Sequence, residues 1–305
     1  MVDPIRFRGE RARVVTTGIG LPHTWLVPAP AAAAAGLAFA LTLTDGGRSI
    51  TSDRFALRAP GIPGTIVLEL QNPDVYGSTF AAPMRVRNET EADLLAVSAE
   101  IVSLTETKVD AEKKETQKEL PGGEGPPPAW DLVKKGEAST PQQLRAGPVA
   151  FTEETKLVLL FGRVHGVALL GGFQLDEAPH PETLVADKGG NVWVKDASGT
   201  ILKTDAEARA LVKVKNLPRE NEKPSGACKA LGAKASLCRE ASDGTLISSY
   251  KNELTVTDPD GKSRSFSAGD DGPPVAIAFG KEGRVLVATA GEGARKGSVR
   301  IYRPF

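Results

Sequence analysis

One segment of this sequence occurs twice at a fixed offset. Residues 183–206 read TLVADKGGNVWVKDASGTILKTDA, and residues 245–268 read TLISSYKNELTVTDPDGKSRSFSA, so the copies align without gaps at an offset of 62 residues. Apolar and polar residues alternate in both copies, and each copy turns at Asp-x-x-Gly, which is typical of short strands joined by tight turns. Self-similarity at a fixed offset indicates a repeat architecture, and this constrains the fold more than any other feature of the chain.

The identical residues of the two copies fall on the strands and turns. Val185 matches Ile247 and Val192 matches Leu254, both conservative pairs, and the identities are Thr183, Leu184, Val194, Asp196, Gly199 and Ala206 with Thr245, Leu246, Val256, Asp258, Gly261 and Ala268. A further strand is predicted after each copy, at 210–216 and 274–280. The offset exceeds the usual spacing of about 40–50 residues in such repeats, so we expect an insertion at 217–243.

The C-terminal segment carries a resemblance to a known family. Residues 274–305, PVAIAFGKEGRVLVATAGEGARKGSVRIYRPF, contain two strands around a KEG turn, a glycine-rich turn and a third strand, GSVRIYR. This pattern resembles a WD40-type β-propeller blade, and the resemblance implies about three propeller-like blades over 163–305. They would cover 164–204, 210–267 with the insertion, and 274 onward without a last strand, for which KLVLLFG (156–162) is a candidate. Closed propellers have about four to eight blades, so the repeat is expected to be incomplete or completed by another chain.

The N-terminal half reads as short strands separated by turns. Candidate strands are 11–17, 37–45, 53–59, 64–70, 82–106 and 156–162, with RNETEAD as a polar connection inside the fifth. The string FALTLTDGGRSITSDRF resembles strand pairs of bacterial immunoglobulin-like domains, which implies an immunoglobulin-like β-sandwich over 1–162. Residues 108–130 are densely charged and then rich in Pro and Gly, and they are expected to form a solvated insertion. The predicted fold class is therefore all-β, an immunoglobulin-like sandwich followed by an incomplete β-propeller-like blade repeat.

Neither the charge of the chain nor its motifs identify a chemical activity. Lys plus Arg and Asp plus Glu both number 38, so the neutral chain gives no reason to expect nucleic acid or an anionic membrane as a partner. The apolar segment 25–43 reads as a strand plus an apolar loop, with a leader peptide as the alternative, and no membrane span is predicted. SSYK (248–251) resembles a nucleophile motif only in part, and GEGARKGS (291–298) resembles a phosphate-binding motif only in part. His165 lies in an apolar strand and is expected in the core. No catalytic residue, cofactor site or metal site is predicted.

Four features remain as candidates for sites. Cys228 and Cys238 are expected to form a disulfide or to remain two reduced thiols. A disulfide would favour an extracytoplasmic location, whereas reduced thiols would favour the cytoplasm. Trp130, Trp193 and Tyr250 are the candidate contact residues for a partner, because large aromatic side chains are enriched at interfaces.

Two functions follow from these observations. The first is a non-enzymatic structural or interaction subunit of a larger assembly, with another protein chain or a homo-oligomer as its partner. It is favoured by the missing catalytic motifs and the low number of blades. The alternative is an extracytoplasmic carbohydrate- or peptide-binding protein that could have hydrolase activity. A deep pocket lined by Trp193, Tyr250 and carboxylates would favour the alternative.

Overall fold

The protein is all-β and divides into two compact units, Met1–Gly166 with Phe305, and Val167–Pro304. A computed structural model describes residues 11–16, 24–28, 37–44, 49–50, 54–71, 74–76, 78–148, 155–187, 189–204, 211–218, 226–231, 235–269, 271–291 and 296–305. The apolar loop predicted after Trp25 and parts of the 217–243 insertion lie outside these residues. The all-β prediction is confirmed, and the sheets of the described residues are antiparallel.

The first unit contains two antiparallel sheets. One has the order β12-β8-β6-β5-β1-β2 with β7 on β8, and the other joins β9 to β10, β11 and β13, with β3 and β4 beyond β13. The strands are β1 (Arg11–Thr16), β2 (Thr24–Pro28), β3 (Leu37–Thr44), β4 (Ser49–Ile50), β5 (Arg54–Leu57), β6 (Gly64–Leu70), β7 (Asp74–Tyr76), β8 (Thr79–Thr90), β9 (Asp93–Val109), β10 (Glu115–Leu120), β11 (Ala129–Val133), β12 (Gln142–Ala146) and β13 (Thr155–Gln174).

The core of the first unit lies between these sheets. Phe39 of β3 and Phe55 of β5 belong to different sheets, and their ring centroids are 5.5 Å apart. Both rings are fully buried, which removes a large apolar area from water. An immunoglobulin-like topology is not shown by this arrangement and stays a prediction.

The strands predicted in this half are confirmed, and the connections add detail. The polar string RNETEAD contains the turn at 91–92 between β8 and β9. Within the predicted charged insertion, β10 pairs with β9 from Glu115↔Val109 to Leu120↔Leu104. Asp110 begins the turn between them, where its carboxylate accepts hydrogen bonds from the Glu112 and Lys114 amides. The charged segment is therefore an exposed β-hairpin.

The second unit contains three antiparallel sheets. The first repeat sheet has the order β14-β15-β16-β17, and the second repeat sheet has the order β18-β19-β20-β21. The middle sheet contains β22, β23, β24 and residues 167–174 of β13. The elements are β14 (Pro181–Ala186), β15 (Val192–Asp196), β16 (Ile201–Thr204), β17 (Leu211–Lys213), α1 (Gly226–Leu231), β18 (Leu237–Glu240), β19 (Leu246–Tyr250), β20 (Glu253–Thr257), β21 (Ser263–Ser267), β22 (Pro274–Phe279), a 3-10 turn (Lys281–Gly283), β23 (Val285–Thr289) and β24 (Ser298–Pro304).

The strand pairing places two segments differently from the blades outlined by the sequence. The sequence pattern assigns residues 167–174 to the first blade. In the structure they pair with β24 and add a strand to the sheet that corresponds to the third blade. The first repeat sheet takes β17 as its fourth strand, although residues 210–216 were assigned to the second blade. None of the described sheets closes on itself, and WD40 repeats are not confirmed.

The middle sheet is buried on both faces. Ala276, Ala278, Leu286 and Ala288 pack with Leu184, Val194 and Leu202 of the first repeat sheet in one apolar cluster. On the opposite face, the ring of Tyr302 lies 5.3 Å from the ring of Phe266 in the second repeat sheet. All five residues of β23 are buried, which explains why VLVAT has no polar alternation.

The two repeat sheets share the register of their second hairpin. Trp193↔Lys203 and Val194↔Leu202 in the first sheet correspond at the same offset of 62 to Thr255↔Ser265 and Val256↔Arg264 in the second. In the first hairpin the gap-free alignment is wrong by one residue. Val194 pairs with Leu184, whereas Val256 pairs with Ile247 instead of Leu246, because the segment between the paired residues is one residue shorter in the second copy.

An aspartate closes the second hairpin of each copy. The Gly199 amide donates to the Asp196 carbonyl at 2.9 Å, and the Gly261 amide donates to the Asp258 carbonyl at 2.9 Å. Both glycines have positive φ, 88° and 85°, a conformation that a side chain disfavours. Asp-x-x-Gly is therefore a structural signature of the turn in both copies.

The two aspartates are stabilised by different partners. The Asp196 carboxylate accepts hydrogen bonds from the His180 amide at 2.7 Å and the Ser198 amide at 2.8 Å. Asp258 instead forms a bidentate pair with the Arg264 guanidinium, with both distances 2.6 Å. Arg264 occupies the position of apolar Leu202, so one copy buries an ion pair where the other buries a leucine.

Replacing Arg264 should destabilise the second unit more than replacing an exposed arginine. In Arg264→Leu the buried Asp258 carboxylate loses its bidentate partner, which should cost about 3–5 kcal/mol. Asp258→Asn with Arg264→Leu should recover much of this loss, because no buried charge remains. Urea denaturation measures both variants, with exposed Arg58→Leu as the control. An unchanged midpoint for the single variant would show that the ion pair contributes no stability.

Replacing Asp196 should lower stability in a pH-dependent way. Burial alone would raise the pKa of the Asp196 carboxyl, but hydrogen bonds from Ser198 and His180 outweigh it and hold that pKa below its usual 3.8. This stabilisation is present above the unfolded pKa and is lost as pH falls through the lower folded pKa. Asp196→Asn should therefore cost about 1–3 kcal/mol at pH 7.

The control for this prediction is the exposed Asp260→Asn, in the equivalent turn of the second copy. In urea denaturation at several pH values, the difference between wild type and Asp196→Asn should narrow as pH falls below 3.8. A difference that stays constant into strongly acidic solution would contradict a role for the ionised carboxylate.

Candidate functional site

Each repeat sheet has a buried face and an outer face. The buried faces carry residues such as Val194 and Val256 at equivalent positions. The outer faces differ completely, since Trp193 and Lys203 in the first sheet correspond to Thr255 and Ser265 in the second. Because substitution on the outer face leaves packing unchanged, this is where the two copies can acquire separate functions.

The outer face of the second repeat sheet is rich in hydroxyl groups, and we call it the hydroxyl face. Two cross-strand pairs are hydrogen-bonded, Thr255 to Ser265 and Thr257 to Ser263, each with 2.8 Å between the hydroxyl oxygens. Strand alternation places six hydroxyl side chains there, namely Ser248, Thr255, Thr257, Ser263, Ser265 and Ser267. The Thr-x-Thr and Ser-x-Ser-x-Ser spacing in the sequence is the signal that could have identified this face.

Tyr250 lies at one end of the hydroxyl face. It pairs with Glu253, which pairs with Ser267, so these side chains form a row across three strands. Tyr250 is 54% exposed, and the Lys251 ammonium lies 5.5 Å from its ring centroid. An exposed aromatic ring therefore stands beside a carboxylate and several hydroxyl groups.

Of the two alternatives for Cys228 and Cys238, the disulfide is present, and it joins helix α1 to the second repeat sheet. Cys228 of the helix is bonded to Cys238 of β18. Cys238 pairs with Ser248, so its side chain is on the same side of the sheet as the hydroxyl face. The bond therefore holds the helix beside β18 and β19 at the edge of this face.

The outer face of the first repeat sheet combines an indole with lysines, and we call it the indole face. The Lys203 ammonium lies 5.1 Å from the centroid of the Trp193 ring. Trp193 and Lys203 share a row with Val212, and Lys195 and Ile201 form the neighbouring row. Trp193 and Tyr250 therefore lie on different sheets, and the structure does not bring them together in one pocket.

Trp130 lies in the first unit, on β11. It is 5% exposed, and its indole N–H donates a hydrogen bond to the Thr140 carbonyl at 2.7 Å. The ring is therefore packed within its own unit, as is usual for a tryptophan whose N–H has found a partner. A partner contact at this residue stays an untested prediction.

A polar cluster of the second unit surrounds Asp271. Its carboxylate accepts hydrogen bonds from the Ser298 hydroxyl and from Arg300 Nε, both at 2.9 Å. The buried Tyr302 hydroxyl donates to the Ala268 carbonyl at 3.3 Å. Burial raises the pKa of the Tyr302 phenol to about 12, although nearby Arg300 opposes this shift. The phenol is thus protonated at neutral pH, and the Asp271 carboxylate beside the Ser298 hydroxyl is also bound by Arg300.

Two histidines lie in the described segments, of which His165 is buried and His180 is exposed. His165 lies in the core, as the sequence indicates, with Nε2 at 3.3 Å from Glu100 Oε1. A histidine that is 2% exposed offers no ring atom to a substrate in solution. The described residues contain no cluster of three His, Cys, Asp or Glu suited to a metal ion. Within the described ranges, no helix has the length and apolar character needed to cross a membrane.

Comparisons with known proteins give little further information. No protein-family model matches the chain, and no curated protein matches it. Among solved structures, it is similar to a gluconolactonase from Xanthomonas campestris described as important in glucose secondary metabolic pathways. That alignment covers 98% of this chain and 99% of the other, at 12% identity and a TM-score of 0.17. A TM-score this low carries no argument about fold or chemistry.

The non-enzymatic prediction is corrected, because the absence of sequence motifs cannot exclude an enzyme. The sequence favours a structural or interaction subunit without catalytic activity, whereas one solved structure to which the chain is similar is named a gluconolactonase, an enzyme. The sequence reasoning relied on missing motifs, and motifs cannot exclude an enzyme, because catalytic side chains meet through the fold and not through sequence spacing. We therefore abandon the non-enzymatic interpretation, and the weak likeness supplies no substrate in its place.

Proposed function

We propose that this chain is an extracytoplasmic carbohydrate-binding protein and that the hydroxyl face of the second repeat sheet is its binding surface. The observation that carries the proposal is the row of Tyr250, Glu253 and Ser267 beside the hydroxyl pairs of Thr255 and Thr257. Sugars expose hydroxyl groups around their rings and weakly polar C–H groups on the ring faces. The hydroxyl face offers partners for both.

The hydroxyl pairs retain most of their hydrogen-bonding capacity. Each hydroxyl has one donor and two acceptor positions, and a pair uses one of each. A pair such as Thr255–Ser265 therefore keeps one donor and three acceptor positions for a ligand. Neutral hydroxyl groups of this kind suit sugar hydroxyls better than they suit a charged ligand.

Tyr250 supplies an apolar platform. Its exposed ring can stack on the face of a pyranose, while Glu253 in the same row accepts hydrogen bonds from sugar hydroxyls. Because the backbone of Tyr250 is fixed in β19 and its side chain has only two rotatable bonds to the ring, little conformational entropy is lost when a ligand binds.

The disulfide supports an extracytoplasmic location for the protein. Structural disulfides persist in oxidising environments and are rare in the cytosol, so Cys228–Cys238 favours an extracytoplasmic location. The bond also keeps helix α1 in a fixed position at the edge of the hydroxyl face. Reduction should therefore loosen this edge first.

We also propose an assignment for the two units. The facing sheets of the first unit are those of an immunoglobulin-like sandwich, and the three sheets of the second unit correspond to three propeller-like blades. Support comes from the antiparallel order of four strands in each repeat sheet. A crystal structure of Val167–Pro304 within the full chain tests this assignment through the angle between successive sheets.

Substitutions on the hydroxyl face should weaken binding to a neutral polysaccharide. We expect Tyr250→Ala to weaken binding about tenfold through loss of stacking. Thr255→Val with Ser265→Ala should have a similar effect, because hydrogen bonds of about 0.5–1.5 kcal/mol are lost. Affinity electrophoresis through gels containing xylan, starch or soluble β-glucan measures these changes, and reducing-end release in the same mixtures reports hydrolysis.

The control is Thr183→Val, which removes a hydroxyl from the outer face of the first repeat sheet. It should bind as the wild type does. Failure of the wild type to bind any of the neutral polysaccharides, or retention of peptides instead, would contradict the proposal. Equal losses in Thr183→Val and the hydroxyl-face variants would also contradict it.

A further inference from the structure

The indole face has a chemistry of its own. At positions where the hydroxyl face has Thr255 paired with Ser265, the indole face has Trp193 paired with Lys203. In the neighbouring row, Lys195 and Ile201 replace Thr257 and Ser263. A ligand of the indole face must therefore differ from a ligand of the hydroxyl face.

The two lysines stand near the same indole ring. Lys203 lies directly across from Trp193, with its ammonium 5.1 Å from the ring centroid. Lys195 is two residues from Trp193 on β15 and is diagonal to Lys203 across the strand pair. Diagonal positions of this kind are about 7–8 Å apart, which is within reach of long side chains such as those of lysine.

The indole face is positively charged. Among the described residues, the rows of Trp193 and Lys195 contain no carboxylate, since their other members are Thr183, Val185, Ile201 and Val212. Glu182, an exposed carboxylate of β14, lies next to Thr183 at the irregular end of that strand and outside these two rows. Asp196 accepts backbone hydrogen bonds from His180 and Ser198, and Asp187 accepts them from Asn191.

The remaining surface of the face is apolar. Val212 is 59% exposed at the end of the Trp193 row, and Ile201 is partly exposed beside Lys195. A ligand that fits must present a flat, weakly polar surface to the indole and valine and negative charge to the lysines. Uronic acid residues do both, because a pyranose ring has apolar C–H faces and each ring carries one carboxylate.

We propose that the indole face is a second binding site and that its ligand is an acidic polysaccharide built from uronic acids. Trp193 stacks on the sugar ring, and Lys195 and Lys203 pair with carboxylates of neighbouring sugars. The inference extends the proposed function to a different sheet and a different sugar class. Either site can bind when the other does not, so the two claims fail separately.

The test uses the full chain and polygalacturonate as the probe. Wild type should bind it at 0.1 M salt, and binding should weaken at 1 M salt, where the Debye length falls from about 10 Å to about 3 Å. Fully methyl-esterified polygalacturonate has the same backbone without the charge and should bind at least about tenfold more weakly, because the charge-assisted contacts are lost. Poly-glutamate supplies carboxylates without sugar rings and should also bind weakly.

Two variants localise the site. K195Q/K203Q removes the charge and W193L removes the ring, and each should lower the affinity for polygalacturonate about tenfold or more. K118Q/K134Q changes the net charge equally at exposed positions of the first unit and should bind as the wild type does. The hydroxyl-face variant T255V/S265A should keep its affinity for polygalacturonate, which separates this site from that of the proposed function.

Three results would overturn the inference. They are no binding of polygalacturonate by the wild type at 0.1 M salt, an equal loss in K118Q/K134Q and K195Q/K203Q, and poly-glutamate binding as tight as polygalacturonate binding. Unfolding of W193L does not remove the test, because K195Q/K203Q leaves the ring and its packing in place. Quenching of tryptophan fluorescence by polygalacturonate, absent in W193F, reports contact at the ring independently of affinity.

Discussion

The turn hydrogen bond between the Gly199 amide and the Asp196 carbonyl, with its counterpart between Gly261 and Asp258, sets the register on which the second unit depends. In a β-strand, a shift of one residue moves every side chain to the opposite face. Because both turns hold the same register, Val194 and Val256 both reach the core. The same register sends Trp193 and Thr255 to the outer faces.

A fixed register separates two kinds of sequence change. On the buried face, a substitution must keep the side-chain volume or supply a partner for any charge that it buries. Arg264, which forms an ion pair with Asp258, is an example of the second case. On the outer face, Trp193 and Lys203 can become Thr255 and Ser265 without disturbing the middle sheet. The repeat thus keeps one scaffold and presents two surfaces of different chemistry, one neutral and hydrogen-bonding, the other basic and aromatic.

Short sequence patterns predicted the features that depend on residues close together in the chain. Alternation located many of the strands but not β11 and β12, the Asp-x-x-Gly pair located the turns, and the short spacing of Cys228 and Cys238 was compatible with the disulfide. Pairings distant in sequence were not predictable, because nothing near residues 167–174 indicates that they pair with 298–304. The one-residue difference between the first hairpins was not predicted either, because a gap-free alignment does not show a difference of one residue between paired positions. Function was the least predictable property, because the strand register had to be known before the residues that share an outer face could be identified.

If the outer faces alone decide the ligand, exchanging them should exchange specificity. T255W/S265K gives the second repeat sheet the residue pair of the first, at positions whose backbone register is already equal. The direct measurement is the affinity of this variant for polygalacturonate and for a neutral polysaccharide, with its unfolding midpoint in urea. We expect a gain for polygalacturonate, a loss for the neutral polymer and an unchanged midpoint. Unchanged affinities in a folded variant would contradict the assignment of ligand recognition to these faces.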